Sequence, residues 1–458
     1  MSKFETIGNA TLIVYEGKNN NPLLATDVWL EEDHAYFGSW YLSHKVPERQ
    51  RDAISRVPFI FISHFHPDHL NLKSLSNFKN ATILIAQHYG KRVENDLRNS
   101  GFKVINLPPR QWIDIGKFTR IMLFSNEIQD STLLVEIQDN NKEKSLLINL
   151  NDSAGMGSEN EIAKISSRYK NSFYLGLHCY GDADMINYFD FNNKRIEPLA
   201  KLKLPVGKEI SEGMKKFNCN YAIPFSSFHQ YARRDSFWAN QYTTPLEDYS
   251  IGFNNNPNSI LLNAFQTVIF EDGKFISQDI DPEEVIFENP IPESKFGDDW
   301  DVKLNKKDIQ ICRQYFEEIK TLKYNFNSIS VTVGGVENIV HSGGKGITKI
   351  NFEVPRLSLI RAIKNEVFDD LLIGNFMKTK LLNSSHLYDP DFTVTTAKYA
   401  DNGGVKTMEE LKEYFAFYND DLRRAPKDKY IRSYQNFKNE IKLILPYQIT
   451  HFIKKYFK

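Results

Sequence analysis

Cysteine is nearly absent from this chain. Cys179, Cys219 and Cys312 are three among 458 residues, too few and too scattered for a disulfide framework or a CxxC metal cage. A reducing cytoplasmic compartment is the expectation. Long apolar runs are missing too: stretches such as Phe59 to Ile62 and Thr82 to Ala86 fall far short of the ~20 residues a membrane-spanning helix needs. The opening MSKFETIGNATLIVYEG is too polar for a secretory leader, so neither a membrane nor an export signal is expected. There is no excess charge of one sign either. Lys plus Arg number 57 and Asp plus Glu 58, giving a net charge of -1 and no basic field for nucleic acid. No repeat of fixed period is visible.

What is present is an ordinary globular composition, 41% hydrophobic and 25% charged, with a generous 13% of aromatics. The length suits two or three domains at about 150 residues each. Short β-branched runs dominate the first half, among them ATLIVYEG, LLATDVWL, FIFIS, ATILIA, STLLVEI, SLLINL and FYLGL, and these predict strands. Apolar spacings of three and four predict helices from Gly90, from Glu159 and over Ile210 to Phe217. Two strand-rich layers with interspersed helices give an α/β sandwich over residues 1–255. Asn-, Pro- and acid-rich texture marks 256–300 as a connecting region. Residues 301–458 read as an α+β appendage with helices at Lys307 to Leu322, Leu357 to Leu372, Met408 to Tyr418 and from Tyr434 onward. That appendage serves either packing and dimerisation, which admits a homodimer, or covers a bound substrate.

One segment carries the chemistry. After the apolar strand Phe59 to Ile62 the chain reads Ser63-His64-Phe65-His66-Pro67-Asp68-His69. In extended backbone, positions two apart project to the same side, so His64 and His66 can grip one cation. Pro67 then helps the chain turn, presenting Asp68 and His69 to a second cation at the ~3.5–4 Å separation of two-metal sites. Three imidazoles and a carboxylate in this register are costly to keep without a metal.

This HxHxDH loop resembles the signature of the metallo-β-lactamase superfamily, which implies an αββα sandwich and directs attention to later ligands. Asp152, ending SLLINLND, stands where that family bridges both metals with a carboxylate. His229, in IPFSSFHQ, takes the place of its last histidine. His178, ending FYLGLH, is a rival for the same space or an outer proton donor, joining Asp68 as a candidate catalytic group. Asp27, ending LLATDVWL, matches the residue that supports the loop by hydrogen bonds.

The family's third motif normally supplies one more histidine, yet none lies between His88 and His178. Glu127, after the strand FTRIMLFS, is the candidate for that corner. Two imidazoles plus an oxygen donor suit non-haem iron better than hydrolytic zinc, and the exchange resembles that of di-iron β-hydroxylases of this fold. The stretch TDVWLEEDHAYFGSWYLSHKVP, together with IPFSSFHQ and RLSLIRAIKNEVFDDLLIGNF, is similar to the CMP-N-acetylneuraminate hydroxylases. Those carry a Rieske domain whose CxH and CxxH pairs have no counterpart here, so electrons are expected from an external donor protein or from the substrate.

The resulting expectation is a di-iron oxygenase that uses O2 to hydroxylate a small polar substrate. His64, His66 and Glu127 would hold one iron, Asp68, His69 and His229 the other, and Asp152 would bridge. The alternative is a hydrolase of the phosphodiesterase or lactonase type with two Zn or Mn ions activating water. His44 and Arg233 are candidate substrate contacts, Arg233 through bidentate binding of a carboxylate or phosphate. The glycine-rich HSGGKG at His341 lacks phosphate-loop spacing and is read as a hairpin turn.

Overall fold

Along Phe59–Ile62 the side chains alternate: Ile60 and Ile62 enter one apolar cluster and Phe61 another, because successive residues of a strand face opposite sides. Both faces of this strand are therefore buried, as a sheet covered by a second sheet on one side and by helices on the other requires. The computed structural model, which describes residues 2–17, 19–155, 157–271, 274–419, 424 and 426–434, shows that arrangement.

An eight-stranded sheet runs in the order Lys274–Asp279, Gln266–Glu271, Ser2–Ile7, Thr11–Glu16, Asn21–Thr26, Phe59–Ile62, Thr82–Ala86 and Lys103–Leu107. A seven-stranded sheet faces it, ordered Ile260–Leu261, Tyr221–Pro224, Asn171–Gly176, Lys144–Asn151, Ser131–Gln138, Thr119–Ser125 and Ile113–Asp114. Between them Phe4, Leu12, Phe61 and Leu84 meet Leu133, Leu147, Phe173 and Ile223. Outside, helix Glu48–Arg56 lays Ala53 and Ile54 on the first sheet, and helix Val206–Phe217 lays Ile210, Met214 and Phe217 on the second. The fold is the expected αββα sandwich.

A third sheet of five strands forms the appendage, in the order Tyr188–Asp190, Lys378–Leu382, Thr348–Glu353, Phe326–Val333 and Val336–His341. Helix Lys306–Glu318 starts at a capping box, Asn305 accepting from the Asp308 amide and Asp308 from that of Asn305. It buries Cys312 and Phe316 in a core with Phe352, Phe368 and Phe392.

The boundaries differ from those read in the sequence. Within the supposed connector, the hairpin Gln266–Glu271 with Lys274–Asp279 extends the first sheet beside Ser2–Ile7. Tyr188–Asp190, from the middle of the sandwich sequence, leaves it to pair in parallel with Lys378–Leu382. A Pro- and acid-rich texture marks chain reversals, not the sheet a strand joins. The glycines after His341 are not a hairpin turn: they connect Val336–His341 to Thr348–Glu353, which flank Phe326–Val333 on opposite sides. Gly344 and Gly346 are required there because a Cβ would stand 1.8 Å from the Phe326 carbonyl oxygen or 1.9 Å from that of Asn325. The helix expected from Tyr434 onward lies outside the described residues.

Candidate metal centre

The loop after Phe59–Ile62 emerges where the sheets part, and its donors converge. His64 Nε2 and His66 Nδ1 are 3.0 Å apart, too close for two like-facing lone pairs without a shared proton or cation between them. Asp152 enters from the end of Lys144–Asn151, and its Oδ2 stands 3.7 Å from His64 Nε2 and 3.7 Å from His69 Nε2. One carboxylate oxygen is thus equidistant from the two halves of the loop, the position a bridging ligand needs. His64, His66 and Asp152 present donor atoms that all lie within 4.8 Å of one another. Asp68 Oδ2 is 3.1 Å from His69 Nε2, its carboxylate steadied by the Asn9 amide at 2.9 Å and the Tyr36 hydroxyl.

Behind the loop Asp27 is fully buried. It accepts from the Ser63 amide at 2.8 Å and from the Asn151 side chain, and lies 3.3 Å from His69 Nδ1. A carboxylate on the outer nitrogen of an imidazole directs the inner one at an ion. His229 lies flat on Trp40, with ring centroids 3.3 Å apart, and neither ring nitrogen has a hydrogen-bond partner. A buried imidazole left this way is a lone-pair donor awaiting an acceptor.

The electrostatics agree. Burial, and then the neighbouring imidazoles, push His64 well below the usual histidine range, and burial lowers His229 to about 3, so both are neutral donors. Burial alone would do the same to His69, but the Asp68 and Asp152 carboxylates raise it well above that range. The Asp68 and Asp152 carboxylates thus draw positive charge onto a buried ring. Asp152, raised to about 6 by burial and by the charge of Asp68 against the pull of His69, is the ligand whose proton a cation must displace.

His64, His66, Asp68, Asp152 and His229 line a pocket of about 230 Å³. Its far wall comes from the appendage, including Asp369, Tyr388 and Lys398. Lys398 Nζ reaches Asp130 at 3.0 Å and lies over the Phe65 ring. Also on the lining, Tyr388 donates to Asp184 at 2.9 Å, and burial, with the charge of Asp182, raises Asp184 to about 7.

Four expected residues lie elsewhere. Glu127 does not fill the third corner; its Oε2 is 2.6 Å from Arg432 Nη2 and its carbonyl accepts from Tyr414. The strand ends at Ser125, and the turn that follows carries Asp130 to the pocket instead. His178 faces away, 2.8 Å from the Tyr174 hydroxyl, because Leu177 and Cys179 on either side take the pocket-facing positions. His44 packs on Phe265 outside the pocket. Arg233 is wholly buried, bound by Asp235 and Asp298, each at 2.8 Å, and stacked on Phe376, so no guanidinium is free for substrate. Conversely Asn9, Asp130 and Lys398 belong to the site without any sequence motif to announce them, and Tyr36 and Asp369 do so within two of the tracts similar to the hydroxylases.

No family model matches the chain. It is 31% identical over 119 residues to the cytidine monophosphate-N-acetylneuraminic acid hydroxylase of Asterias rubens, covering 25% of this chain and 18% of that protein. It is 29% identical over 119 residues to the hydroxylase of Sus scrofa, covering 24% and 27%. The matches thus span only about a fifth to a quarter of those relatives' length. Among solved structures, an isothiocyanate hydrolase from Delia radicum gut bacteria is 15% identical with a TM-score of 0.35, covering 58% of this chain and 98% of that one. A metallo-β-lactamase fold protein from Bacillus subtilis is 10% identical with a TM-score of 0.31, at the same coverage. The chain has an αββα sandwich architecture and over about a quarter of its length is similar in sequence to the CMP-N-acetylneuraminic acid hydroxylases.

Proposed function

We propose that this metallo-β-lactamase-fold enzyme is an O2-dependent oxygenase with two iron ions that hydroxylates a small polar substrate. The observation that carries this reading is the trio His64, His66 and Asp152, two imidazoles and one carboxylate, while His69 lies 3.7 Å from the same carboxylate oxygen. That donor composition favours redox-active iron over hydrolytic zinc. The carboxylate supporting the reading is Asp152, not Glu127. His64 and His66 would hold one ion, Asp68, His69 and His229 the other, and Asp152 would serve both; ions so held would supply electrons for splitting dioxygen.

The chain's own groups then divide the work. Asn9 and Tyr36 fix the Asp68 carboxylate, and Asp27 fixes His69. The appendage walls the pocket and limits water, which favours the covering role over a purely packing one. Asp184, raised to about 7, can hold or release a proton at the pocket wall. Cys179, Cys219 and Cys312 are unpaired and dispersed and form no iron–sulfur ligand set, so electrons are assigned to a separate donor protein.

A second reading, a binuclear hydrolase, draws on Glu127 being engaged by Arg432, which removes one acidic ligand from the first corner. Metal analysis of protein purified without oxygen, followed by reduction and exposure to air, separates the two. The oxygenase reading expects about two irons per chain and oxygen consumption on adding reductant. Zinc-loaded protein that cleaves a phosphodiester without oxygen overturns it.

A further inference from the structure

His66 is the one imidazole of the loop whose outer nitrogen is not met by the sandwich. Its Nδ1 faces His64, and its Nε2 lies 2.9 Å from Oδ2 of Asp369, which is 303 residues further along the chain. Asp369 is buried and lines the pocket, and its other oxygen, Oδ1, has no hydrogen-bond partner. The short helix Asp369–Ile373 that carries it is anchored just beyond its end. Gly374 accepts from Ser39, and the buried Asn375 side chain donates to the Tyr231 hydroxyl at 2.9 Å and the Ala183 carbonyl at 2.8 Å. Ser39 and Tyr231 flank the pair Trp40–Leu42 with His229–Tyr231, which presents His229 to the pocket. The same helix is therefore tied to both ends of the centre.

We infer that Asp369 is a positioning residue for the metal centre: it accepts the Nε2 proton of His66, fixing that ring's tautomer and plane so that Nδ1 is directed with His64 at one ion. This rests on the metal-binding reading above. One half of the centre then depends on the docking of the appendage, while the half holding His69 is organised by Asp27 inside the sandwich. A carboxylate in this place raises the basicity of the imidazole and removes its rotational freedom, and losing such a partner weakens metal binding about 10–100-fold.

The test uses the full-length chain as wild type, Asp369→Asn and Asp369→Ala. Metal per chain is measured after dialysis against graded chelator, and the visible spectrum of the cobalt(II)-loaded form is recorded. Asn keeps size and one acceptor oxygen without the charge, which covers the case that Ala fails to fold. The expected result is selective loss: one ion released about 10–100-fold more readily, more so for Ala than Asn, with an altered cobalt spectrum and the second ion retained. Wild-type retention of both ions in either folded variant overturns the proposal but leaves the metal centre standing. Equal loss of both ions overturns it as well, showing general collapse. A wild-type chain that binds no metal overturns both readings together.

Discussion

His69 and His66 are three residues apart and are held in opposite ways. Behind His69 stands Asp27, delivered by the adjacent strand and netted to Ser63 and Asn151 within the sandwich. Behind His66 stands Asp369, delivered by another module from the far end of the sequence. The first brace is part of the sheet that makes the loop, so it forms whenever the sandwich folds. The second forms only where the appendage packs against the sandwich, so on the proposal above metal at the first half-site and the packing of that pocket wall would be thermodynamically linked.

The largest effect expected from breaking this comparison is at Asp27. Asp27→Ala removes a buried acceptor from three partners and is expected to destabilise the metal-free protein by roughly 3–5 kcal/mol, read by urea unfolding, as well as releasing the ion at His69. If Asp369→Ala were the more destabilising of the two in that assay, the contrast between an intrinsic and a borrowed brace would be lost. Next comes Glu127→Gln, which sharpens the comparison from the other side. Leaving the buried Arg432 without its anion is expected to cost roughly 1–3 kcal/mol while metal content stays at the wild-type value. A drop in bound metal at equal stability would restore Glu127 as a ligand.

The smallest effect concerns the module that lends the second brace. Asp401 is buried beneath Tyr315, which donates to both carboxylate oxygens at 3.0 Å. Burial, with the charge of Asp369, raises it to about 7. Its folded value lies above its unfolded one, so from about pH 4 upward the unfolded chain ionises first and the penalty on the fold grows until about pH 7. Asp401→Asn should therefore stabilise the protein at pH 8 and change it by almost nothing at pH 4. Thermal melts across that range check it, and a gain independent of pH would contradict the assignment.

Much of the sandwich was legible in the sequence because strand periodicity and the His-Pro-Asp-His loop are local signals. Asp27, Asp152 and His229 all lie at strand ends, where the family resemblance could be matched position by position. Glu127 and His178 were misread for a geometric reason: just past a strand's end, one residue of turn reverses which side faces the pocket, and composition does not report that reversal. Arg233 shows the other limit, since its partners Asp235 and Asp298 come from a turn and a linker that no periodicity connects. Asp369 and Lys398 were invisible as site residues because their meaning depends on how the appendage docks. The sequence did mark the tract around Asp369 as similar to the hydroxylases, a signal that reaches Asp369 but not Lys398.

The strand Tyr188–Asp190 carries a last consequence. It is spliced out of the sandwich sequence to cover the rim of Lys378–Leu382, so the two modules are interlocked, not strung in series. Recombination at any single crossover between them would hand one product a naked backbone rim, prone to sticking to its neighbours, and the other a ribbon with nothing to lie against. Descent with this lock in place favours inheriting the pair whole, and anyone grafting the appendage onto a different sandwich would have to carry both segments across.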